Sequence, residues 1–286
     1  MSVLNDKEPA GSHWIAKMLR SQATECVNPS CRHRKHAPSI FRRYVGIAVD
    51  RHWCCSSECF EDYLVQSLTA SMSAAPKPES LQPRSMPLGL LLVSRGILTP
   101  EQLALTLAKQ QTETLNLGDA AQRLGFATVE QITAAVASQW SCPVFPISGR
   151  TLSIPVHVPL PWLEAFEMLP VHFVPTDRRM TVGFVTRVEY QVLSIVERIT
   201  GCDTVPCFIT APEYYGALQQ MARSVRDNEI VLDRPMYARD VARMSRNYIS
   251  QLGGKEVRFG MYREHLWIRI WNSRQETDLV FQVEPD

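Results

Sequence analysis

The side chains best equipped for chemistry crowd near the N-terminus. Of the eight cysteines in this 286-residue chain, Cys26, Cys31, Cys54, Cys55 and Cys59 share one short stretch, while Cys142, Cys202 and Cys207 are scattered among apolar neighbours. Cys26-x4-Cys31 and Cys55-x3-Cys59 form two close pairs, and four thiolates suit tetrahedral zinc. No apolar signal core precedes them, so clustered cysteines point to a metal more than to disulfides. Cys54, His33 and His36 are substitute ligands, and the adjacent Cys54 and Cys55 cannot both ligate without strain. Ser56 or Ser57 can cap a helix that holds Cys59. Between the pairs, Arg32, Arg34, Lys35, Arg42 and Arg43 occur with no acidic residue among them, a charge pattern able to meet phosphates or an acidic partner. The three scattered cysteines read as ordinary buried thiols.

No nucleophile–base arrangement accompanies this cluster. His157 and His172 fall in extended segments without a serine or cysteine motif beside them, and Glu264-His265 has no metal spacing. Gly253-Gly254-Lys255 lacks both the spacing and the hydroxyl of a phosphate-binding loop. The expectation is a protein that is not an enzyme. Lys and Arg number 30 against 29 Asp and Glu, so net charge gives no support to general polyanion binding. No apolar run approaches the roughly 20 residues that span a bilayer. A soluble cytoplasmic protein is expected.

The elements that must position these residues divide at 71–85, a stretch rich in Pro and Ser that reads as a linker. Before it, 20–70 is the cysteine module. After it, 86–224 is one domain, with helical periodicity over 86–142 and a small α/β part over 143–224. In that second part, 172–176 and 180–185 form a hairpin through Asp177-Arg178-Arg179. A helix over 190–200 ends at Gly201, a strand covers 204–209, and Thr210 with Glu213 opens a helix over 211–223. RDNEIVLDRP then breaks the pattern. The last module, 232–286, reads as a helix over 237–252 and three strands at 256–259, 266–271 and 279–283. In the middle strand Leu266, Ile268 and Ile270 alternate with Trp267, Arg269 and Trp271. The expected class is α+β and multidomain: a small zinc finger, a four-helix repeat bundle with its small α/β subdomain, and a C-terminal helix with a three-stranded sheet.

The four helices come from an internal repeat at an offset of 29 residues, with 88–110 superposed on 117–139. Leu88 falls on Leu117, Gly89 on Gly118, Gly96 on Gly125, Thr99 on Thr128, Gln102 on Gln131, Leu103 on Ile132, Leu107 on Val136 and Gln110 on Gln139. Each copy reads helix, turn, helix. Gly96 or Gly125 supplies the permissive position after the first helix, and Thr99 or Thr128 opens the second in a capping box with the Gln three residues on. Pro100 sits where a missing N–H costs nothing.

This pattern resembles the N-terminal, MshEN-type domain of type II secretion and type IV pilus assembly ATPases, in which two copies of R-L-G-x-x-L-V-x-x-G-x-L-x4-L-x3-L-x2-Q flank a short spacer, here 111–115. The resemblance covers about 87–223 and includes the α/β half, but no ATPase motif follows. It implies that Leu88, Gly89, Leu92, Val93, Gly96, Leu103, Leu107, Gln110, Leu117, Gly118, Gly125, Ile132, Val136 and Gln139 face cyclic di-GMP, and that a pilus or secretion component is the protein partner. Pro87 and Asn116 stand at the two arginine positions of the pattern, and neither can reproduce a bidentate guanidinium. The cysteine module in turn resembles a treble-clef zinc finger, which implies that zinc is held by Cys26, Cys31, Cys55 and Cys59. Two functions follow as expectations. One is a regulatory adaptor that senses the dinucleotide or docks to pilus or secretion machinery. The other is a zinc-dependent nucleic-acid-binding regulator that uses the basic loop.

Overall fold

A computed structural model describes residues 25–31, 46–73, 86–149, 152, 154–223 and 228–285. Among them the chain is mixed α+β, with nine helices and two sheets. It forms two compact units: Met1–Ser73 with Leu232–Asp286, and Ala74–Val231.

The first unit joins what the sequence keeps apart. Strands β1 (Ile47–Val49) and β2 (His52–Cys54) form a short hairpin and helix α1 spans Ser57–Ser73, so 71–73 belong to a helix and not to a linker. The hairpin continues the C-terminal sheet. In place of three strands, the sheet has six, in the order β2-β1-β7-β8-β9-β6, where β6 is Glu229–Tyr237, β7 Glu256–Tyr262, β8 His265–Trp271 and β9 Glu276–Glu284. Ala48 N–H donates to the Lys255 carbonyl at 2.9 Å and Asp50 N–H to the Val257 carbonyl at 3.0 Å, fixing β1 parallel to β7. The segment expected to break the pattern after residue 223 enters β6, because Ile230, Val231 and Leu232 favour extended backbone despite the flanking charges.

Register separates the two faces of this sheet. Val257, Ile270 and Thr277 align across β7–β9, as do Phe259, Ile268 and Leu279, and these point to one side. The opposite side carries Trp267, Arg269 and Asp278, all buried. There the Arg269 guanidinium grips Asp278 through Nε–Oδ1 at 2.7 Å and Nη2–Oδ2 at 2.8 Å, and Trp267 Nε1 donates to Oδ1 at 2.7 Å. Phe60, Leu64 and Leu68 line one stripe of α1. In the last helix (Ala238–Leu252), Ala238, Val241, Ala242, Ser245 and Ile249 do the same. Gly253, in the left-handed region at φ 63°, ends that helix.

In the second unit the repeat becomes α2 (Leu88–Ser94), α3 (Pro100–Glu113), α4 (Leu117–Arg123) and α5 (Val129–Gln139). Both expected capping boxes form: Thr99 with Gln102, and Thr128 with Gln131. Packing crosses between the copies, α2 on α5 and α3 on α4. Beyond a short helix not foreseen from the sequence, α6 (Leu160–Ala165), comes a sheet in the order β3-β4-β5: Met168–Val174, Arg179–Phe184 and Asp203–Phe208. Helix α7 (Tyr190–Thr200) crosses over to make β4 and β5 parallel, and α8 (Ala211–Ala222) follows; the Ala238–Leu252 helix of the first unit is α9. Arg178, at the hairpin turn, donates to the Gly201 and Thr200 carbonyls, both at 3.1 Å, and so closes the C-terminus of α7. The Glu213 carboxylate serves the α8 capping box and accepts from Ile147 N–H, Ser148 N–H and Ser148 Oγ at 3.1, 3.0 and 2.6 Å. It therefore ties the loop after the repeat to the α/β part.

Candidate metal centre and helical repeat

The Sγ atoms of Cys26, Cys31, Cys55 and Cys59 lie within 4.8 Å of one another, with Cys31–Cys55 at 3.7 Å and Cys55–Cys59 at 3.5 Å. Four sulfurs at about 2.3 Å from a tetrahedral ion are separated by about 3.8 Å, so the tetrad can hold zinc with small side-chain adjustments. Each ligand is placed by its own local device. Ser56 Oγ accepts from Cys59 N–H at 3.3 Å, opening α1 so that its first turn presents Cys59. Val27 N–H donates to the Trp53 carbonyl at 2.8 Å, laying the Cys26 loop along β2. Asn28, buried, donates from Nδ2 to Asp62 Oδ2 at 3.0 Å and accepts Ser30 N–H at 2.9 Å, which turns the loop and delivers Cys31. Cys54, a substitute ligand on spacing alone, pairs with Ile47 in the sheet and is fully buried outside the tetrad.

Burial pushes the Cys54, Cys55 and Cys59 thiols up from their ordinary range, and for Cys54 and Cys55 the neighbouring sulfurs push the same way. A central dication reverses that balance and favours thiolates at the four ligating positions. His33 and His36, as well as Arg32, Arg34, Lys35, Arg42 and Arg43, lie outside the described residues.

The fourteen repeat positions do not line one surface. Gly89, Leu92, Gly118, Ile132 and Val136 are buried in the bundle; Leu88, Val93, Leu103, Gln110, Leu117 and Gln139 are half-buried; Gly96, Leu107 and Gly125 are exposed. Gly96 and Gly125 serve the backbone, with φ of 69° and 70°. Gly89 and Gly118 serve packing. A Cβ at Gly89 would stand 2.7 Å from Leu103 Cδ1, and one at Gly118 would stand 2.8 Å from Ile132 Cγ2. Gln139 Nε2 donates to the Met86 carbonyl at 2.9 Å, fastening the end of α5 to the entry of α2.

Two features escaped the sequence reading. Asn116, at an arginine position of the pattern, is the N-cap of α4: its Oδ1 accepts Asp119 N–H at 2.8 Å and its Nδ2 donates to Asp119 Oδ2 at 2.7 Å. The Asp119 carboxylate thus lies in the first turn of α4, where it complements the helix dipole. An Asn followed three residues later by Asp was the legible signal. The second feature is on α3, where Leu105 is 57% and Leu107 44% exposed while Thr106 is buried. Ala104 and Ala108 complete an apolar outer face. Of their repeat equivalents, Thr133, Val136 and Ala137 are buried, on the helix that packs against β5, while Ala134, the counterpart of Leu105, is exposed like it.

No family model and no curated protein matches the chain. Among solved structures, one of MshE with cdg is 20% identical and covers 47% of this chain and 98% of its own, at a TM-score of 0.40. The N-terminal domain of XpsE is 16% identical and covers 46% of this chain and 92% of its own, at 0.37; a second crystal form of that domain gives 18%, 45%, 89% and 0.29.

Proposed function

We propose that this chain is a zinc-containing, non-enzymatic regulatory adaptor, with the cysteine tetrad as a structural metal centre and the helical repeat as the part that docks onto a protein of pilus or secretion machinery. Bound zinc supplies cross-linking of the four thiolates and no reaction. The observation that carries the docking reading is the inequality of the two copies. Thr133, Val136 and Ala137 are buried in the second copy, on the helix that packs against β5, whereas their counterparts Ala104, Leu107 and Ala108 are exposed in the first; Leu105 and its counterpart Ala134 are exposed in both. Exposed apolar side chains grouped on one helix face mark a surface that another protein covers.

Docking is favoured over cyclic di-GMP sensing by the local chemistry. The glycines that would admit a close phosphate are filled by Leu103 and Ile132, and α4 is capped from within by Asn116. Asp119 also puts a carboxylate in the first turn of α4, and its charge opposes a phosphate at that helix terminus.

Photo-crosslinking in cells from residues 105 and 107, with residue 134 as the control, tests the reading together with calorimetry against cyclic di-GMP and metal analysis of the purified protein. The expected result is one zinc per chain, no heat with the dinucleotide at millimolar concentration, and a discrete adduct from 105 and 107 to a pilus or secretion component. Saturable dinucleotide heat with no adduct overturns docking in favour of sensing. Salt-dependent binding to DNA, lost when Arg32, Arg34 and Lys35 are reversed in charge, turns the assignment to the nucleic-acid regulator.

A further inference from the structure

The first unit is assembled from segments distant in sequence. Among the described residues, 25–73 offer two three-residue strands and one helix, a small set to bury an apolar core without a staple. Residues 232–286 offer the three long strands β7–β9, the greater part of β6 and one helix. The face made by Val257, Phe259, Leu266, Ile268, Ile270, Leu279 and Phe281 is wide, and each of these residues is at most 9% exposed. A single helix covers about 10 Å of a sheet's width, roughly two strands at 4.8 Å spacing. The remainder of the cover is α1, which packs beside α9.

The joints between the segments are specific. Arg246 Nη1 of α9 meets Glu61 Oε2 of α1 at 2.7 Å. The Tyr63 ring of α1 stands edge-on to Phe259 of β7 with centroids 6.2 Å apart, and on its other side meets the His52 ring of β2 at the same separation. β1 extends the sheet beyond β7. Every one of these elements is attached to the tetrad within a few residues: Cys55 directly follows β2, Cys59 sits in the first turn of α1, and Glu61 and Tyr63 lie in the next turn.

We infer that metal occupancy of the tetrad is a folding switch for the C-terminal sheet as well as for the cysteine loop, so that β7–β9 and α9 lose their ordered packing when the metal is withdrawn. The inference rests on the reading of the tetrad as a zinc centre. Val27 N–H on the Trp53 carbonyl and Asn28 Nδ2 on Asp62 hold the Cys26–Cys31 loop against β2 and α1, and without a cross-link the N-terminal segment lacks the free energy to stay on the sheet. When α1 departs, one side of the apolar face meets water. The chain thereby couples metal supply to the state of a module more than 170 positions away in sequence.

Hydrogen exchange read by mass spectrometry on the full chain tests this, in reducing buffer, before and after stripping with a chelator and again after adding back zinc ion. Metal content is measured on the same samples. The expected outcome is one zinc per chain and, on stripping, at least a tenfold fall in protection over 256–284 in parallel with 46–68. Residues 168–208 of the second unit keep their protection, and zinc restores the rest. Protection over 256–284 that survives stripping while 46–68 loses it overturns the inference and leaves the zinc reading intact. Equal loss in the second unit overturns it as well, since the response is then global. A protein that neither carries nor takes up zinc overturns both readings.

Discussion

Gly89 and Gly118 occupy equivalent positions in the repeat, yet alanine should act differently at the two. At Gly89 the new Cβ meets the tips of two flexible side chains, Leu103 Cδ1 at 2.7 Å and Leu117 Cδ2 at 3.2 Å, which can rotate aside. At Gly118 it meets Ile132 Cγ2 at 2.8 Å and the capping Asn116 Oδ1 at 3.3 Å. Ile132 is β-branched, has essentially one helical rotamer, and cannot withdraw its Cγ2 without moving α5. Overpacking costs typically about 1–3 kcal/mol, and replacing a helical glycine by alanine returns up to about 1 kcal/mol. Gly89→Ala should therefore be close to neutral, and Gly118→Ala should destabilise by about 1–2 kcal/mol. For a unit of this size that corresponds to a melting transition lower by roughly 2–8 °C. Differential scanning calorimetry on the full protein, following the transition of the second unit, gives the answer. Equal transitions for Gly118→Ala and wild type would refute the packing account and reopen the case for a glycine kept for close approach of a ligand.

Glu213 gives a pH dependence. Burial raises its carboxyl, but hydrogen bonds from Ser148, Thr210 and their backbone N–H groups outweigh that and hold it at about 2, against an ordinary 4.5. A folded pKa below the unfolded one stabilises above the unfolded value, so this contribution is complete above about 5 and fades as the pH falls from about 4.5 towards 2. With solvent screening of a partly exposed group discounted, it is worth about 1–2 kcal/mol, and Glu213→Gln should narrow the stability difference between pH 7 and pH 3, read from melting curves, by about that amount. The paired substitutions Leu107→Gln and Val136→Gln test the inequality of the copies. The first should change stability by less than about 0.5 kcal/mol, whereas the second buries an amide and should cost at least about 2 kcal/mol by denaturant titration. A similar cost at both positions would mean that the outer face of α3 is part of the core.

Local order was legible because it is written in local chemistry. Thr99–Gln102, Thr128–Gln131 and Thr210–Glu213 each fix a helix start within four residues, and all three form as read. Gly96 and Gly125 did the same for helix ends. The cysteine tetrad was legible for a related reason, since two close pairs stand out in sequence with a capping serine beside the second, while the choice of Cys55 over Cys54 came from the β2 strand that buries Cys54 away from the cluster. Non-local pairing was not. Nothing in Ile47–Val49 states that its partner is Glu256–Tyr262, because a three-residue strand has no register signal beyond its alternation. Helix α6 begins with Leu160 and Pro161, and its first amide is taken by a carboxylate far along the chain: Glu229 Oε1 accepts Leu160 N–H at 3.1 Å while Oε2 meets His157 Nε2 at 2.7 Å. A cap supplied from that distance leaves no local pattern to read.

The repeat also shows why equal sequence positions need not be equal sites. After the second copy the chain continues through residues 140–149 into β5 pairing, with Phe208 N–H donating to the Pro143 carbonyl and Phe145 N–H to the Phe208 carbonyl, both at 2.8 Å. That continuation brings the α/β subdomain onto α5. After the first copy the chain has only a short spacer before α4, which packs on α3 while Leu105 and Leu107 stay exposed. The apolar pattern of a motif such as L-x3-L-x2-Q therefore records a helix face that needs cover, and connectivity decides whether the cover is the chain itself. In α5 it is. In α3, with Leu107 in the place of Val136, the cover must come from another molecule or the leucines are left in water, and Leu105 and Leu107, 57% and 44% exposed on one helix, are the reason to look for that molecule there.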